Sequence, residues 1–266
     1  MIEIKNIGPV TQYKLTRNFL GKKIYTTSAY FVDGLLIDTG FRHIAHDFFE
    51  TLRRQNVEQI VHTHAHEDHI AANSLFQKHL GIVGKVHRSG LELIHHPPPH
   101  LKLYRRFVWG TPESAQAEVI GSEIETKGYR FRVMELPGHS PDHIGFYEPN
   151  EGWLFGGDLF LSVKVKVLKY DENINDWLAS LKKARTLPMS QYFCGSGKLL
   201  DSPNRSLDLK IEYYAEIKAK ISALRSRGWE AERIRDEVLG REETLTYLSQ
   251  GEFSKLNLVK AFLGDV

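Results

Sequence analysis

Four histidines and two acidic residues lie within eight positions of the sequence, in HTHAHEDH from His62 to His69. His64 and His66 are two positions apart, and in an extended segment such side chains point to the same side. Asp68 and His69 follow where a strand should give way to a helix, which aims them toward a second, neighbouring position. The spacing predicts two adjacent metal sites rather than solvated loop histidines. Imidazole nitrogen with carboxylate oxygen favours zinc, and iron and manganese remain open.

The segments around the cluster predict the elements that position it. VEQIVHTH (57–64) is typical of a β-strand, and HIAANSLFQKHLG (69–81) indicates a helix that ends at Gly81. Upstream, Asp33-Gly34 separates two β-rich runs, which indicates a hairpin among the short strands expected in the first 40 residues. The cluster is therefore expected at a strand end, where loops converge on a common site.

Two further polar residues follow predicted strands later in the chain. His139 comes just after YRFRVMELPG, and Asp158 stands at the exit of the apolar run WLFGG. A lone Gly-His or Gly-Asp usually marks only a turn. These two residues become candidate ligands because the chain also carries the histidine cluster.

The motifs together resemble the metallo-β-lactamase-fold hydrolases. The carriers of the resemblance are LIDTG (36–40), THAHEDH (63–69), PGHSPDH (137–143) and GGDLF (156–160), in the family's order. The tail GEFSKLNLVKAFL resembles the C-terminal segment of a subgroup with a helical extension. The resemblance implies an α/β fold, the αββα sandwich, with metals at one edge of two sheets.

The resemblance also implies a set of ligands. Three histidines would bind the first metal: His64, His66 and His139. Asp68 and His69 would bind the second metal, and Asp158 would bridge both. Asp68 would in addition orient the attacking hydroxide, which makes it the predicted catalytic residue.

Two other residues are expected to support the ligands. Asp38 in LIDTG is a candidate to accept an N–H from a ligand histidine. A turn-capping role for Asp38 remains an equal alternative. His143 is expected to pack near the site or support it, without binding metal itself.

One position departs from the family pattern. The family supplies a further histidine to the second metal near residue 196, and this sequence has Ser196 there, in YFCGSGK. A neutral hydroxyl is a poor zinc ligand, so the second site is predicted to bind metal more weakly than the first. Three outcomes stay open: one ion, two ions of unequal affinity, or a replacement histidine, with His95, His96 and His100 as candidates.

Two cations a short distance apart lower the pKa of a shared water toward neutrality. The predicted function is thus a hydrolase that uses a metal-bound hydroxide to cleave an ester, thioester or lactone of a small molecule, similar to the hydroxyacylglutathione hydrolase and lactonase branches. The alternatives are a phosphodiesterase or endoribonuclease of the same fold, and a non-catalytic metal-binding descendant. An irregular or partly helical excursion at 93–118 is expected to cover the site mouth, where its aromatic and basic residues would suit an anionic or acyl substrate.

Composition limits the remaining options. The chain has 266 residues, a net charge of +2 and a single cysteine, Cys194. So small a charge gives no argument for nucleic acid or an anionic membrane as partner, and the N-terminus shows no apolar signal segment. We therefore expect a cytoplasmic protein, with homodimer formation left open. A helical stripe after about residue 205 predicts two parts, a catalytic domain at 1–205 and a helical unit at 206–266.

Overall fold

The computed structural model describes residues 1–264, and two β-sheets form its centre. Strands are numbered in chain order. The first sheet has the spatial order β1 (Ile2–Ile7), β2 (Val10–Phe19), β3 (Lys22–Val32), β4 (Leu35–Ile37), β5 (Gln59–Val61), β6 (Gly84–Val86) and β7 (Ala117–Val119). The second contains β8 (Glu123–Glu125), β9 (Arg130–Glu135), β10 (Ile144–Glu148), β11 (Trp153–Phe155), β13 (Gln191–Phe193) and β14 (Leu199–Leu200), and β12 (Leu168–Lys169) pairs separately with β15 (Phe253–Ser254).

The helices lie between and after these strands. They are α1 (Ala45–Leu52), α2 (Asn73–Leu80), a 3₁₀ turn (Arg88–Gly90), α3 (Leu91–His95), α4 (Leu103–Val108), α5 (Ile174–Arg185), α6 (Pro203–Arg225), α7 (Ala231–Val238), α8 (Thr244–Leu248) and α9 (Lys255–Leu263). Among the helices of residues 1–264, none combines the length and apolarity that a membrane crossing requires.

Alternation along the strands creates four layers. In β4, Leu36 packs in the core beneath α1 and α2, whereas Leu35 and Ile37 pack between the two sheets. In β11, Phe155 faces the core between the sheets and Leu154 faces the core formed with α5 and α6. Successive side chains of a strand point to opposite faces, so each central strand contributes to two cores. The αββα sandwich predicted from the sequence is confirmed.

Strand direction brings the polar motifs to one edge. β4 and β5 are parallel, so Asp38 and the histidine cluster both follow strands that end on the same side. In the second sheet, β9 and β11 are both antiparallel to β10, and β13 is parallel to β11. His139, Asp158 and Ser196 therefore all follow strands that run in one direction. The connections after these strands can meet at a single site.

Several local predictions agree with the structure. Asp33 and Gly34 both have positive φ, 47° and 83°, as a type I′ hairpin between β3 and β4 requires. Helix α2 ends at Gly81, which takes the left-handed conformation at φ 71°. Two details differ from the sequence-based expectations. Strands β2 and β3 are long, at 10 and 11 residues, where short strands were expected, and the excursion at 93–118 runs into strand β7, which pairs with β6.

The C-terminal helices pack against the second sheet. Leu207, Tyr214 and Ile221 of α6 are fully buried in a core that also holds Leu154 of β11 and Tyr192 of β13. The amphipathic stripe expected after residue 205 therefore faces the sandwich. The division into 1–205 and 206–266 remains a prediction.

Candidate metal centre

The structure brings five of the six predicted ligand residues into two overlapping groups. In each group the potential ligand atoms lie within 4.8 Å of one another. The first group is His64, His66 and His139, and the second is His64, His69 and Asp158. Three of these residues follow β5, one follows β9 and one follows β11. Connections from both sheets thus build a single cluster at the edge of the sandwich.

In the first group, the ring nitrogens converge on a common point. His66 Nδ1 is 3.0 Å from His139 Nε2, close to the roughly 3.3 Å that separates two nitrogens on one tetrahedral zinc. The buried Nε2 of His64 has no hydrogen-bond partner among residues 1–264. Burial and the neighbouring imidazoles lower the pKa of His64 and of His66 well below the ordinary value. Both rings are therefore neutral and each keeps one nitrogen lone pair, which is the form that binds a metal.

The second group has a different arrangement from the one expected. His69 Nε2, also without a hydrogen-bond partner among the described residues, is 3.4 Å from Asp68 Oδ2 and 3.8 Å from Asp158 Oδ1. Asp68 belongs to neither of the two groups, and its Oδ2 accepts a 2.5 Å hydrogen bond from the Tyr25 hydroxyl. Asp68 thus lies beside His69, at the rim of the cluster. Tyr25 was not foreseen, because a tyrosine in an alternating strand carries no signal of such a contact.

The pKa values of Asp68, His69 and Asp158 are shifted by burial and by one another's charges. Burial alone would raise the pKa of Asp68, but His69 and Tyr25 hold it at about 2. Burial also opposes charge on His69, yet Asp68 and Asp38 raise the pKa of that imidazole well above its usual value. Burial raises the pKa of Asp158, and the nearby carboxylates add to this effect. The site therefore combines close carboxylates with unpartnered imidazole nitrogens, a donor set that fits zinc.

Asp38 fixes both the chain and an imidazole. Its carboxylate accepts hydrogen bonds of 2.8 Å from the Thr63 backbone N–H, the Thr63 hydroxyl and His69 Nδ1. Asp38 has a φ of 64°, a conformation that aspartate tolerates better than most residues. Although burial opposes ionisation, His69 and His62 hold the pKa of Asp38 well below its usual range. Of the two roles predicted as alternatives, the contact with an imidazole is present, whereas the hydrogen bonds to Thr63 join Asp38 to a segment 25 residues away.

His143 supports Asp158 through the backbone. Its Nδ1 donates to the Leu136 carbonyl at 3.0 Å, and its Nε2 accepts the Asp158 N–H at 3.1 Å. Burial, His139 and His69 lower the pKa of His143 to about 3, so the ring stays neutral and keeps this accepting nitrogen. The expectation that His143 lies beside the site without joining its ligand groups agrees with this placement.

Glu172 is a buried carboxylate that the sequence did not single out. Its Oε1 lies 2.7 Å from His139 Nδ1, and its Oε2 accepts the Lys169 N–H at 2.8 Å. Burial lowers the pKa of His139, but the charge and hydrogen bond of Glu172 outweigh burial and raise it. Glu172 thus fixes the ring so that Nε2 faces the cluster. A carboxylate behind a ligand histidine orients the ring and increases its basicity.

Glu172→Gln tests this contact. The amide keeps an acceptor for His139 Nδ1 but loses the negative charge, so we expect zinc affinity to fall about tenfold. Competition with a chromophoric chelator measures the affinity. Asp171→Asn, which changes the neighbouring, half-exposed carboxylate, is the matched control and should bind zinc as the wild type does. Equal affinities for the Gln variant and the control would contradict an orienting role for Glu172.

Ser196 follows β13. Its Oγ is 3.1 Å from Cys194 Sγ. A Cβ at the intervening Gly195 would lie 2.1 Å from Asp158 Oδ1, so only glycine lets the chain pass this close to the carboxylate. The substitution at 196 thus occurs in a segment that contacts Asp158 directly.

The loop histidines do not take the place of the missing ligand among residues 1–264. His95 Nε2 accepts the Ala117 N–H at 3.1 Å, and His96 is exposed beside Glu92. His100 lines a cavity of about 470 Å³ that extends outward from His66. None of these three histidines belongs to a group of potential ligands in the described part of the chain.

Comparisons with known proteins agree with this geometry. A family model described as the metallo-beta-lactamase superfamily matches residues 25–195. The beta-lactamase-like protein 2 homolog of Drosophila melanogaster is 28% identical over 192 residues, which cover 68% of this chain and 59% of that protein. The hydroxyacylglutathione hydrolase GloC of Haemophilus influenzae is 24% identical over 144 residues, covering 51% and 65%. The chain thus spans less than two thirds of the length of these relatives.

Solved structures share the fold. A metallo-beta-lactamase family protein from Thermus thermophilus superimposes with a TM-score of 0.70 at 20% identity, covering 97% of this chain and 93% of that one. A metallo-beta-lactamase from Pontibacter korlensis gives 0.64 at 18% identity, covering 80% and 98%. The first likeness extends beyond residues 25–195 into the C-terminal helices. The resemblance inferred from the sequence motifs is confirmed.

Proposed function

The chain belongs to the metallo-beta-lactamase superfamily, and on this premise we propose that it is a metal-dependent hydrolase that cleaves an ester, thioester or lactone of a small molecule. The proposal rests on the imidazoles and carboxylates that converge at one sheet edge. Among them, the Nε2 atoms of His64 and His69 have no hydrogen-bond partner among the described residues. Relatives named as hydroxyacylglutathione hydrolases support the choice of bond. Zinc is the metal that the donor set favours, in one or two ions, with iron and manganese as alternatives.

Each residue has a defined part in the proposed reaction. His64, His66 and His139 would hold the first cation, Asp68 and His69 would hold the second, and Asp158 would be shared by both. Divalent cations in such a site lower the pKa of a coordinated water toward 7 and polarise a carbonyl oxygen. Asp68 is ionised and anchored by Tyr25, so it can accept a hydrogen bond from the attacking water and fix its direction.

The nearly balanced charge of the C-terminal part favours a small molecule over nucleic acid. Residues 206–266 hold ten basic and eleven acidic residues, and some of the basic side chains pair with acids, Arg235 with Asp236 at 2.7 Å and Lys255 with Glu243 at 2.7 Å. Arg225 lies 3.7 Å from Glu230 in the same unit. Phosphate recognition needs unneutralised cations along a surface. Phosphodiester cleavage therefore stays the second alternative.

A substrate panel tests the proposal. Zinc-loaded protein should hydrolyse nitrophenyl esters, acyl thioesters or lactones, and a chelator should abolish the reaction. Turnover confined to bis-nitrophenyl phosphate or single-stranded RNA would favour the phosphodiesterase alternative. Full metal occupancy without turnover of any of these compounds would favour a non-catalytic metal-binding protein.

Ser196→His tests the weak second site. The wild type is expected to retain one zinc per chain tightly and to lose the second on dialysis, because a serine hydroxyl replaces an imidazole. The variant should hold its second zinc about tenfold more tightly, as measured by metal analysis after dialysis against graded chelator. The control is Ser190→His. Ser190 is exposed and lies before β13, at the opposite end of the strand from Ser196. Two tightly held ions in the wild type would contradict the prediction.

A further inference from the structure

A cavity of about 180 Å³ opens directly on the candidate metal centre. Four candidate site residues line it, His66, His139, Asp68 and Asp158. Its apolar wall consists of Trp109, Leu161, Val165, Val167, Trp177 and Phe253, and the remaining lining residues are Tyr25, Arg105, Lys169 and Glu172. Cavities that bind drug-sized ligands usually measure about 300–1,000 Å³. This one has room for about six groups the size of a water molecule, which corresponds to a short apolar chain.

Phe253 comes from outside the part of the chain that the family model matches, residues 25–195. It lies on β15, where it pairs with Lys169 of β12, and Tyr170 N–H donates to the Glu252 carbonyl at 3.0 Å. The short sheet β12–β15 thus holds a C-terminal aromatic ring against the cavity. Of the six apolar wall residues, Phe253 is the one that lies outside the matched range 25–195.

A network of buried ion pairs fixes the wall to the metal-binding loop. Arg105 binds both carboxylate oxygens of Glu67, at 2.6 and 2.7 Å, and also pairs with Glu252. Its guanidinium lies 5.1 Å from the ring of Trp109. Glu67 stands between His66 and Asp68 in the sequence. The residue before Phe253 and the loop that carries the predicted ligands are therefore held by one arginine.

The same network removes free charge from the cavity. Both carboxylates around Arg105 are compensated, and Lys102 also approaches Glu252, at 3.2 Å. Lys169 is paired with Asp171 at 2.9 Å. Two of the basic groups that suited an anionic substrate, Lys102 and Arg105, are thus already neutralised. The cavity therefore offers apolar area, and the two cations that line it, Arg105 and Lys169, are both paired with carboxylates.

Resting on the hydrolase function proposed above, we propose that this cavity binds the short, uncharged acyl chain of the substrate, and that Phe253 limits the length of that chain. The larger cavity of about 470 Å³ shares His66, Arg105 and Lys169 with the first and provides space for the leaving group. In the reaction, the oxygen of water forms a bond to the acyl carbon, the bond to the leaving group breaks, and a proton passes to the departing thiol or alcohol. Atoms and electrons balance without a further reactant.

Substitution of Phe253 tests the proposal on zinc-loaded protein, with nitrophenyl esters from acetate to octanoate. The wild type should prefer short chains, and Phe253→Ala should shift the preferred length upward by about two carbons. Each methylene that loses its contact should raise KM about fourfold, whereas kcat should change little. Phe253→Trp should shift the preference to shorter chains, and Tyr247→Ala, at a ring that is 74% exposed on α8 of the same C-terminal unit, should leave the profile unchanged.

Binding of hexanamide supplies a measurement that does not depend on turnover. Trp109 and Trp177 line the cavity, so their fluorescence should change on binding, and Phe253→Ala should weaken that binding several-fold. If Phe253→Ala weakens hexanamide binding but no ester is turned over, the hydrolase function is contradicted and the assignment of the cavity to an acyl chain is retained. If esters are turned over but both Phe253 variants keep the wild-type chain-length profile and the wild-type affinity for hexanamide, the assignment of the cavity to the acyl chain is wrong. Zinc content and a cooperative unfolding transition establish that each variant is folded, and Phe253→Leu replaces the Ala variant if that one is not.

Discussion

Asp158→Asn is expected to lower kcat/KM at least a thousandfold, or about 4 kcal/mol of transition-state stabilisation. Asp158 belongs to the second group of ligand atoms, and its Oδ2 also lies 3.6 Å from His139 Nε2 in the first group. It is the carboxylate that reaches both groups. The amide has nearly the same shape but lacks the charge, so metal content per chain should fall together with activity.

The stability of the metal-free protein separates this effect from unfolding. Without metal, Asp158 is a buried carboxylate whose pKa is raised, because burial, with Asp68 and Asp38, outweighs the opposing effect of His69 and His139. Replacing it with a neutral amide removes that repulsion, so metal-free Asp158→Asn should unfold at a temperature equal to or above that of the wild type. A substitution that removes activity but retains or increases the stability of the metal-free protein identifies a residue that serves metal binding at the expense of stability.

A matched substitution completes the experiment. Asp47→Asn removes an exposed carboxylate on α1, far along the chain from the ligand loops, and should leave activity and metal content unchanged. Zinc content is measured by metal analysis, and activity on the best ester of the panel. An Asp158→Asn protein that retained full metal and more than a tenth of wild-type kcat/KM would contradict the assignment of Asp158.

The candidate ligands were implied by the resemblance of the motifs to the metallo-β-lactamase-fold hydrolases, and their positions after strands whose ends can meet agree with it. His64 and His66 follow β5, His139 follows β9 and Asp158 follows β11, and each position is fixed by a short, recognisable apolar run. The alternation of each strand and the direction of its neighbours then determine that the connections share an edge. Such information is local, so it can be recovered from a window of a few residues.

The contacts that tune the site come from long-range packing and left no local signal. Glu172 contacts His139 across 33 residues, and Tyr25 contacts Asp68 across 43. Phe253 reaches the cavity from the last quarter of the chain. A glutamate before a helix or a tyrosine in a strand has the same local pattern whether or not it meets an imidazole or a carboxylate. Only the folded chain distinguishes these cases.

Helix α6 shows the same limit at the level of a single residue. The apolar stripe predicted from the sequence runs through Leu207, Ile211 and Tyr214, and Ile211 is only partly buried. Lys210, which an apolar pattern excludes, is instead 0% exposed. Its position three residues after Leu207 and four before Tyr214 places it on the buried face. The hydropathy pattern located the helix and its face, but it could not predict that a charged residue occupies that face.

Lys210→Met is expected to change how the free energy of unfolding depends on pH. Lys210 Nζ donates to the Ser162 carbonyl at 3.1 Å and lies 4.9 Å from the centre of the Trp177 ring. Burial nevertheless lowers the pKa of Lys210 to about 8 from an ordinary 10.5, and the carboxylates of Glu172 and Asp158 only partly oppose it. Holding the charged amine in the core therefore costs about 3 kcal/mol below pH 8.

The direction of the pH effect follows from the protons bound in each state. Between pH 8 and pH 10.5 the unfolded chain keeps the proton on Lys210 and the folded chain releases it, so the wild type gains stability as pH rises. Lys210→Met has no such proton. The difference in free energy of unfolding between wild type and variant should therefore shift by about 3 kcal/mol in favour of the wild type from pH 7 to pH 10.5.

Urea denaturation of chelator-treated protein at pH 7, 9 and 10.5 measures this difference, and it cancels the titration of groups that both proteins share. Lys218→Met, at an exposed position of the same helix, should follow the wild type at every pH.

Lys210 donates a hydrogen bond to the carbonyl of Ser162, beside the apolar segment that borders the 180 Å³ cavity. A buried charge that destabilises the fold therefore also anchors the chain next to the candidate site. Parallel curves for wild type and Lys210→Met would show that water reaches the amine and that burial does not disfavour its charge.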